Sequence, residues 1–381
     1  MDAILGDIEQ LVRCESPSAV LESVKRSADL VADVGRHHLG ADPEVLVVDE
    51  CPHLRWRFGT GPGPAPGGTP PRDGVLLLAH HDTVWPLGSL ETHPFSVTDG
   101  VLRGPGCFDM KAGLALAMHA LAVLGVHSLP EGRGGVTLLV TGDEELGSPS
   151  SRALIEEEAA RCRAALVLEA SADGGALKTA RKGVSLYQVR AVGRAAHAGL
   201  EPERGVNATV ELAHQVLAVA ALSDASLGTT VTPTALSSGT VANTVPASGA
   251  FSVDVRMWSV AEQARVHGAM SSLLPAVPDA VLELSGGPNR PPLPSSAAEA
   301  LFARASSLAS ELGLPLLRSA AVGGASDGNF TAGAGTPTLD GLGAVGGGAH
   351  ADHEHVLVEA LPGRAALLAA LIEDLLTEGT A

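Results

Sequence analysis

Residues 136–148 read VTLLVTGDEELGS, an apolar run of strand length that ends in three consecutive acidic residues. Residues 75–80 (VLLLAH) and 164–170 (AALVLEA) have the same form, and each of the three runs ends near a His, Asp or Glu. Longer helical patterns, such as residues 111–124 and 150–160, lie between and beside them. This alternation predicts an α/β fold, with a parallel or mixed sheet and helices on both of its faces.

The pattern changes near Arg181. Residues 184–193 (VSLYQVRAVG) and 249–258 (GAFSVDVRMW) alternate between apolar and polar side chains, as half-exposed antiparallel strands do, with a helical pattern at residues 207–221. We therefore expect residues 181–287 to form a separate α+β lid domain. The Pro/Gly-rich stretch 61–71 predicts only a surface loop within the larger domain.

Composition argues against several classes of protein. The 381 residues include 25 Lys and Arg against 43 Asp and Glu, a formal net charge of −18 that would repel nucleic acid. The four cysteines lack CxxC spacing, which predicts reduced thiols. The first 13 residues carry acids where a signal peptide needs a basic start, and no stretch reaches the roughly 18 apolar residues of a membrane span. We expect a cytoplasmic protein without nucleic-acid or membrane partners.

Two motifs offer metal ligands, although each has a simpler explanation when taken alone. In LLLAHHDTV, His80 and Asp82 are two residues apart at a strand end and so project to the same side. Imidazole suits zinc, and the carboxylate can hold the ring in the required tautomer. In GPGCFDMKAG, Asp109 lies in a glycine-rich turn that opens a helix. The alternatives are a solvated loop histidine and an N-cap aspartate.

Further acidic residues and a second histidine complete the set. The three acids of GDEELGS repel one another unless a cation or proton compensates them, and Glu144 and Glu145 can face different partners, a metal and a substrate. Glu169 ends a strand of the buried type, where an uncompensated charge is costly. His350 follows a glycine run in GGGAHADHEHV, for which a His-rich surface loop is the alternative. Together these residues predict a hydrolytic site that can hold two metals.

The order of HHDTV, GPGCFDMKAG, GDEELGSPSSR, LEAS, GRAAHAG, NTVPA, GGASDGN and GGGAHADHEHV closely resembles the dinuclear zinc exopeptidase family. That family includes glutamate carboxypeptidases, aminoacylases and the acetylornithine and succinyl-diaminopimelate deacylases. The resemblance covers nearly the whole chain. It implies a zinc-exopeptidase-like catalytic domain of residues 1–180 and 288–381, an inserted lid or dimerisation domain of residues 181–287, and a homodimer.

The resemblance also implies a role for each site residue. In the catalytic domain, His80 and Glu169 bind one metal, Glu145 and His350 bind the other, Asp109 bridges both, Asp82 orients His80, and Glu144 is the general base. In the lid, His197 reaches the active site of the other subunit, and Asn243, Arg256 and Arg290 lie around the substrate carboxylate and carbonyl. The cofactors implied are two divalent ions, most commonly zinc, with cobalt or manganese as alternatives. We interpret His81, His353 and His355 as solvated neighbours of the ligands.

These roles predict hydrolysis of an amide or peptide bond next to a free carboxylate, in a small peptide or N-acyl amino acid. Glu144 takes a proton from a metal-bound water and passes it to the departing amine. The strings GDEELGSPSSR and GGASDGN resemble the glutamate carboxypeptidases more than the deacylases. An N-acyl amino acid deacylase is the alternative, because the sequence does not define the substrate pocket. An inactive binding protein on the same fold is a more remote one.

Overall fold

A computed structural model describes residues 1–59, 72–129 and 135–377, so the expected loop at residues 61–71 lies outside the described residues. The chain divides into two compact units. Unit 1 comprises Met1–Ala180, Leu293–Val322 and Ser326–Ala381, and unit 2 comprises Arg181–Pro292 and Gly323–Ala325. In the described segments, no helix is both long enough and apolar enough to cross a membrane.

The elements are numbered in chain order. The helices are α1 (Asp2–Arg13), α2 (Leu21–Leu39), α3 (Ser89–Thr92), α4 (Ala112–Val123), α5 (Arg152–Arg161), α6 (Ala208–Ala220), α7 (Val260–Ser271), α8 (Ser295–Glu311), α9 (Gly328–Gly333) and α10 (Leu361–Thr377). The strands are β1 (Glu44–Val48), β2 (Cys51–Phe58), β3 (Gly74–His80), β4 (Ser96–Thr98), β5 (Val101–Arg103), β6 (Val136–Thr141), β7 (Cys162–Val167), β8 (Leu177–Arg181), β9 (Gly183–Val192), β10 (Ala196–His197), β11 (Thr230–Ser238), β12 (Thr244–Val245), β13 (Ser248–Met257), β14 (Val281–Arg290), β15 (Ser319–Val322), β16 (Thr338–Leu339), β17 (Gly346–Gly347) and β18 (His355–Leu357).

The centre of unit 1 is a mixed six-stranded sheet in the order β1-β2-β6-β3-β7-β16. Strands β6, β3, β7 and β16 run parallel, whereas β1 and β2 pair antiparallel at one side. Every residue of β3 and β6 is buried, as expected for strands that are covered on both faces. Leu77 and Leu138 face the core formed with α1, α2, α4, α8 and α10, while Leu76 and Leu139 face α5 and α9. The predicted α/β class, a mixed sheet with helices on both faces, is confirmed.

Helix α4 packs closely on this sheet. The helix is buried on nearly all sides, and its sequence, AGLALAMHALAV, accordingly lacks a polar face. A Cβ atom at Gly113 would overlap the carbonyl oxygen of Leu168, so only glycine allows the first turn of the helix to approach this closely. Since Asp109 precedes α4 and Glu169 follows Leu168, this contact holds two of the candidate metal ligands in adjacent segments.

Unit 2 has the α+β architecture expected of the inserted domain. Its four-stranded antiparallel sheet has the order β11-β13-β9-β14, and α6 and α7 share one core with it. Val253 and Val255 of β13 face that core, while Asp254 and Arg256 alternate to the other face. A short ladder of β10 and β12 pairs His197 with Thr244. Unit 2 extends to Pro292, beyond the expected residue 287, because β14 continues to Arg290 before the chain returns to unit 1.

Candidate metal centre

The candidate ligands lie at the carboxyl ends of three parallel strands and in two neighbouring loops. His80 is the last residue of β3, Glu145 follows β6, and Glu169 follows β7. Parallel strands end at the same edge of a sheet, which is where ligands bind in open α/β folds. Asp109 lies in the turn before α4, and His350 lies between β17 and β18 with a left-handed φ of 62°.

The side chains from these five positions converge. Nε2 of His80 lies 3.4 Å from Oδ1 of Asp109 and 3.5 Å from Oε1 of Glu169. Nε2 of His350 lies 3.3 Å from Oδ2 of Asp109 and 3.2 Å from Oε2 of Glu145. The two oxygens of Asp109 therefore face two different histidines, the arrangement that a carboxylate bridging two metal ions requires.

These separations fit metal ions better than hydrogen bonds. Ligand atoms at about 2.0–2.1 Å from a tetrahedral zinc ion lie roughly 3.3 Å from one another, whereas N–H···O bonds cluster near 2.9–3.0 Å. Nε2 of His80 and Oε1 of Glu145 are also buried without a hydrogen-bond partner in the described part of the chain. Orphaned buried atoms of this kind are costly unless something coordinates them. The donor set, imidazole nitrogen and carboxylate oxygen, suits zinc.

The electrostatics of the site also favour positive charge there. Burial lowers the pKa of His80, but Asp109, Asp82 and Glu169 raise it well above the usual value. The neighbouring carboxylates of Asp109 and Glu145 raise the pKa of His350 to about 10. Carboxylates this close together repel one another unless protons or cations neutralise their negative charge. A divalent ion neutralises more of that charge than a proton does.

Asp82 positions the first histidine and the acidic loop after β6. Nδ1 of His80 lies 3.0 Å from the Asp82 carbonyl oxygen and 3.4 Å from its carboxylate, so the Nδ1 proton is held and Nε2 is left as the candidate ligand atom. The carboxylate also accepts hydrogen bonds from the backbone N–H groups of Glu144 and Glu145 and from Ser18 Oγ at 2.6 Å. One fully buried carboxylate thus fixes both a candidate ligand and the candidate base.

The three consecutive acids divide into a structural residue and two site residues. Asp143 accepts hydrogen bonds from the backbone N–H and the hydroxyl of Ser150 and of Ser151, so it holds the chain entering α5. Glu145 contacts His350, as described above. Carboxylate oxygens of Glu144 and Glu169 and a ring nitrogen of His80 lie within 4.8 Å of one another. Glu144 therefore lies at the same centre, beside the residues that end β3 and follow β7.

Glu354 supports the candidate site, and sequence reasoning missed it. Its carboxylate accepts hydrogen bonds from the backbone N–H groups of Gly106, Phe108 and Asp109, at 2.8 to 3.1 Å, and from Nε1 of Trp85. It is 3% exposed. Burial raises the pKa of Glu354, against the effect of those backbone donors. Glu354 is four residues from His350, a proximity that was the only signal of its role in the sequence.

The interpretation of His81 as a solvated neighbour was wrong. His81 is 1% exposed, and burial lowers its pKa to about 4. Successive residues at a strand end point in opposite directions, so while His80 faces the candidate metal site, His81 packs towards Pro52. His353 is exposed as expected, and His355 is half-buried.

In unit 2, the β10–β12 ladder brings together two of the predicted lid residues. Asn243 precedes β12, and its carbonyl oxygen accepts the N–H of Ala198 at 2.9 Å. Nδ1 of the exposed His197 accepts the backbone N–H groups of Gly199 and Leu200, both at 3.1 Å. A ring whose Nδ1 accepts carries its proton on Nε2, so His197 presents a hydrogen-bond donor.

Arg256 and Arg290 lie in one row across the sheet of unit 2, since both are in register with Val184 of the strand between them. Nε and Nη2 of Arg256 pair with the two carboxylate oxygens of Asp254, each at 2.8 Å, so one edge of this guanidinium is already engaged. Arg290 is 7% exposed, and its carbonyl oxygen accepts a hydrogen bond from Gln263.

Comparison with known proteins shows the family to which the chain belongs. The model of peptidase family M20/M25/M40 matches residues 76–374. Carboxypeptidase G2 of Pseudomonas sp. is 34% identical over 309 residues, which cover 79% of this chain and 74% of that protein. Succinyl-diaminopimelate desuccinylase 2 of Shewanella loihica is 33% identical over 204 residues, 49% of this chain and 53% of that protein.

Solved structures show the same fold. The M20 family metallo-carboxypeptidase Sso-CP2 from Sulfolobus solfataricus has a TM-score of 0.74 at 15% identity, over 99% of this chain and 100% of that one. Aminopeptidase PepT from Bacillus cereus has a TM-score of 0.73 at 23% identity, over 98% of each chain. Together with the sequence matches, this establishes that the chain is a metallohydrolase of peptidase family M20/M25/M40.

Proposed function

We propose that this protein is a dinuclear metallopeptidase of the carboxypeptidase type, which cleaves an amide or peptide bond next to a free carboxylate. The observation that carries the proposal is the Asp109 carboxylate, with one oxygen towards His80 and the other towards His350. His80, Asp109 and Glu169 would hold one divalent ion, and Asp109, Glu145 and His350 the other. Zinc is the metal we propose, with cobalt or manganese as alternatives.

In this mechanism, the protein's own residues place the substrate and move the proton. When bound, the two ions polarise the scissile carbonyl and make water a stronger acid. The Glu144 carboxylate accepts the proton of the attacking water and then donates it to the departing amine nitrogen. The hydrogen bond from the Glu144 backbone N–H to Asp82 keeps this base beside His80.

His197 supplies a donor to the oxyanion that develops on the carbonyl oxygen. Its Nε2–H is the group that remains after Nδ1 has accepted two backbone hydrogen bonds. Such a donor is typically worth about 2.7–4 kcal/mol of transition-state stabilisation. We propose that the active unit is a homodimer in which His197 serves the site of the other subunit.

Asn243, Arg256 and Arg290 would bind the substrate carboxylate and carbonyl. Guanidinium groups pair with carboxylates bidentately, and two arginines in one row offer such a clamp. The similarity to carboxypeptidase G2 supports a carboxypeptidase. The four cysteines are free thiols, as is typical of a reducing compartment, which supports a cytoplasmic location.

An N-acyl amino acid deacylase is the second candidate. It uses the same ligands and base on a substrate whose acyl group differs, and the similarity to succinyl-diaminopimelate desuccinylase 2 favours it. The two candidates differ in the acyl side chain of the substrate, to which none of the roles proposed above is assigned.

A substrate panel tests the proposal. Purified protein would be assayed against dipeptides, folate-type glutamates and N-acyl amino acids, each as the free α-carboxylate and as the amide, with the released amino acid measured. We expect turnover of the free acids, with peptides or glutamates preferred over N-acyl amino acids, and little turnover of the amides. Equal turnover of acids and amides would refute the carboxylate clamp, and a preference for N-acyl amino acids would favour the deacylase.

A further inference from the structure

A second cluster of potential ligands lies in unit 1, on helices instead of strand ends. Asp7 of α1, His38 of α2 and His119 of α4 converge, with Oδ2 of Asp7 lying 2.7 Å from Nε2 of each histidine. The centroids of the two imidazole rings are 4.3 Å apart. The side chains of Asp7 and His38 are 12% exposed and that of His119 is 15% exposed, so solvent and ions reach them. The proposed reaction uses none of these three residues.

The chemistry of the cluster is that of a metal site. Two imidazole nitrogens and a carboxylate oxygen form a donor set that binds zinc, cobalt and nickel, and a water can complete the coordination. Burial holds the pKa of His119 below its usual value, although the hydrogen bond to Asp7 opposes this effect. A neutral imidazole is the form that binds a metal, and burial favours that form of His119.

The distances indicate how such a site would form. Separations of 2.7 Å are those of hydrogen bonds, whereas ligands of one tetrahedral zinc ion lie roughly 3.3 Å apart. An ion would thus replace two Nε2–H···O bonds and move the side chains apart by about half an ångström. Each neutral ring would then carry its proton on Nδ1, and any doubly protonated ring would release one proton to solvent.

We propose that Asp7, His38 and His119 form an additional binding site for a divalent transition metal, zinc in the first instance. The bound ion would link α1, α2 and α4, three helices that cover the same face of the sheet. Because α4 begins three residues after Asp109, such an ion would also brace the helix beside the candidate metal centre. The proposal is independent of the proposed reaction.

Equilibrium dialysis of the holoenzyme against micromolar free zinc, followed by elemental analysis, tests the proposal. We expect His119→Gln and His38→Gln each to hold one equivalent less than the parent, with affinity at this site reduced by at least about a hundredfold. The matched control is His37→Gln, which alters an exposed neighbour on the same helix and should keep the parent count. The parent and the variants share the same catalytic site. A difference of one zinc equivalent between them therefore reports on the additional site, however much metal the catalytic site holds.

A second measurement covers the case in which a variant does not fold. Anomalous scattering at the zinc edge, from crystals of the parent grown with zinc, should show a peak between the Asp7 carboxylate and the two Nε2 atoms. Absence of that peak would overturn the proposal. So would equal zinc counts in the parent and the folded His119→Gln variant, or loss of the same equivalent in His37→Gln.

Discussion

At the scale of single residues, neighbouring acids in this chain have distinct tasks. The Asp143 carboxylate accepts hydrogen bonds from the two serines before α5. The backbone N–H groups of Glu144 and Glu145 both donate hydrogen bonds to the Asp82 carboxylate. Because the backbones of Glu144 and Glu145 are held by the same carboxylate, only the directions of their side chains distinguish the candidate base from the candidate ligand. Substitution of each can therefore separate proton transfer from metal binding.

Glu144→Gln should reduce kcat by about 10²- to 10⁴-fold, because an amide cannot accept the proton of water. Its metal content should match that of the parent, since Glu144 is not among the proposed ligands. Glu145→Ala is the comparison, and it should lose metal affinity as well as turnover. Elemental analysis and kcat for both proteins check the assignment, and loss of metal from Glu144→Gln with full metal in Glu145→Ala would reverse the two roles.

Glu354→Gln should weaken metal binding by about 10- to 100-fold, the usual effect of removing a residue that orients a ligand. The amide would have to turn an NH₂ group away from the three N–H donors that now fix the Asp109 turn. Competition with a chelator measures the affinity, and circular dichroism reports whether the fold is kept. Glu359→Gln, an exposed change in the same segment, is the control. Unchanged affinity in a folded Glu354→Gln protein would remove its positioning role.

Much of the candidate site could be predicted at this scale, because most ligands follow strands whose pattern is local. His80, Glu145 and Glu169 each end an apolar run, so their meeting at one sheet edge follows from the parallel order. Glu354 could not be found in this way, since its partners lie about 250 residues earlier in the chain. Nor could the cluster of Asp7, which depends on how three helices pack.

At the scale of elements, apolar periodicity located each helix and strand that it predicted to within a few residues. The pattern at residues 111–124 became α4 at Ala112–Val123, and that at residues 207–221 became α6 at Ala208–Ala220. Strand β14 was missed, because its glycines and Pro288 are typical of a connection. Strand β14 tolerates these residues because it lies at the edge of the sheet. An edge strand has one side without a neighbouring strand, so a proline that lacks an N–H there removes no ladder hydrogen bond.

The link between β2 and the loop after β6 should weaken in acid, because it depends on neutral His53. Its Nδ1 accepts the N–H of Gly142 at 3.2 Å, and its Nε2 lies 3.1 Å from Ser150 Oγ. Burial lowers the pKa of His53, although Asp143 and Asp327 oppose this. A pKa below the unfolded value of about 6.5 means that the unfolded chain binds the proton more readily, so stability falls as pH falls below that value.

Urea unfolding of the parent and His53→Gln at several pH values isolates this contribution. The parent's advantage in free energy of unfolding should be largest above pH of about 6.5 and should shrink as pH falls, since glutamine does not titrate. The exposed His37→Gln variant provides the control for histidine loss in general. An advantage that stays constant or grows in acid would contradict the assigned direction of the pKa shift.

At the scale of the whole molecule, the proposal requires two subunits for each active site. His197→Ala should lower kcat about a hundred- to thousandfold without changing metal content, because it removes an oxyanion donor and no ligand. Mixing it with Glu144→Gln under subunit exchange should restore up to about a quarter of the sites, since one site of each heterodimer has both residues intact. No recovery despite demonstrated exchange would mean that His197 acts within its own subunit or has no catalytic role.

The central claim, that two metal ions held around Asp109 are needed for hydrolysis, is tested most directly by removing and restoring them. Protein stripped with a chelator and freed of it would be assayed on the best substrate of the panel while zinc is added in measured equivalents. We predict negligible turnover without metal and recovery that is complete at two equivalents bound to the strand-end site, measured in His119→Gln so that the additional site does not contribute. Full turnover of the metal-free protein would contradict the account.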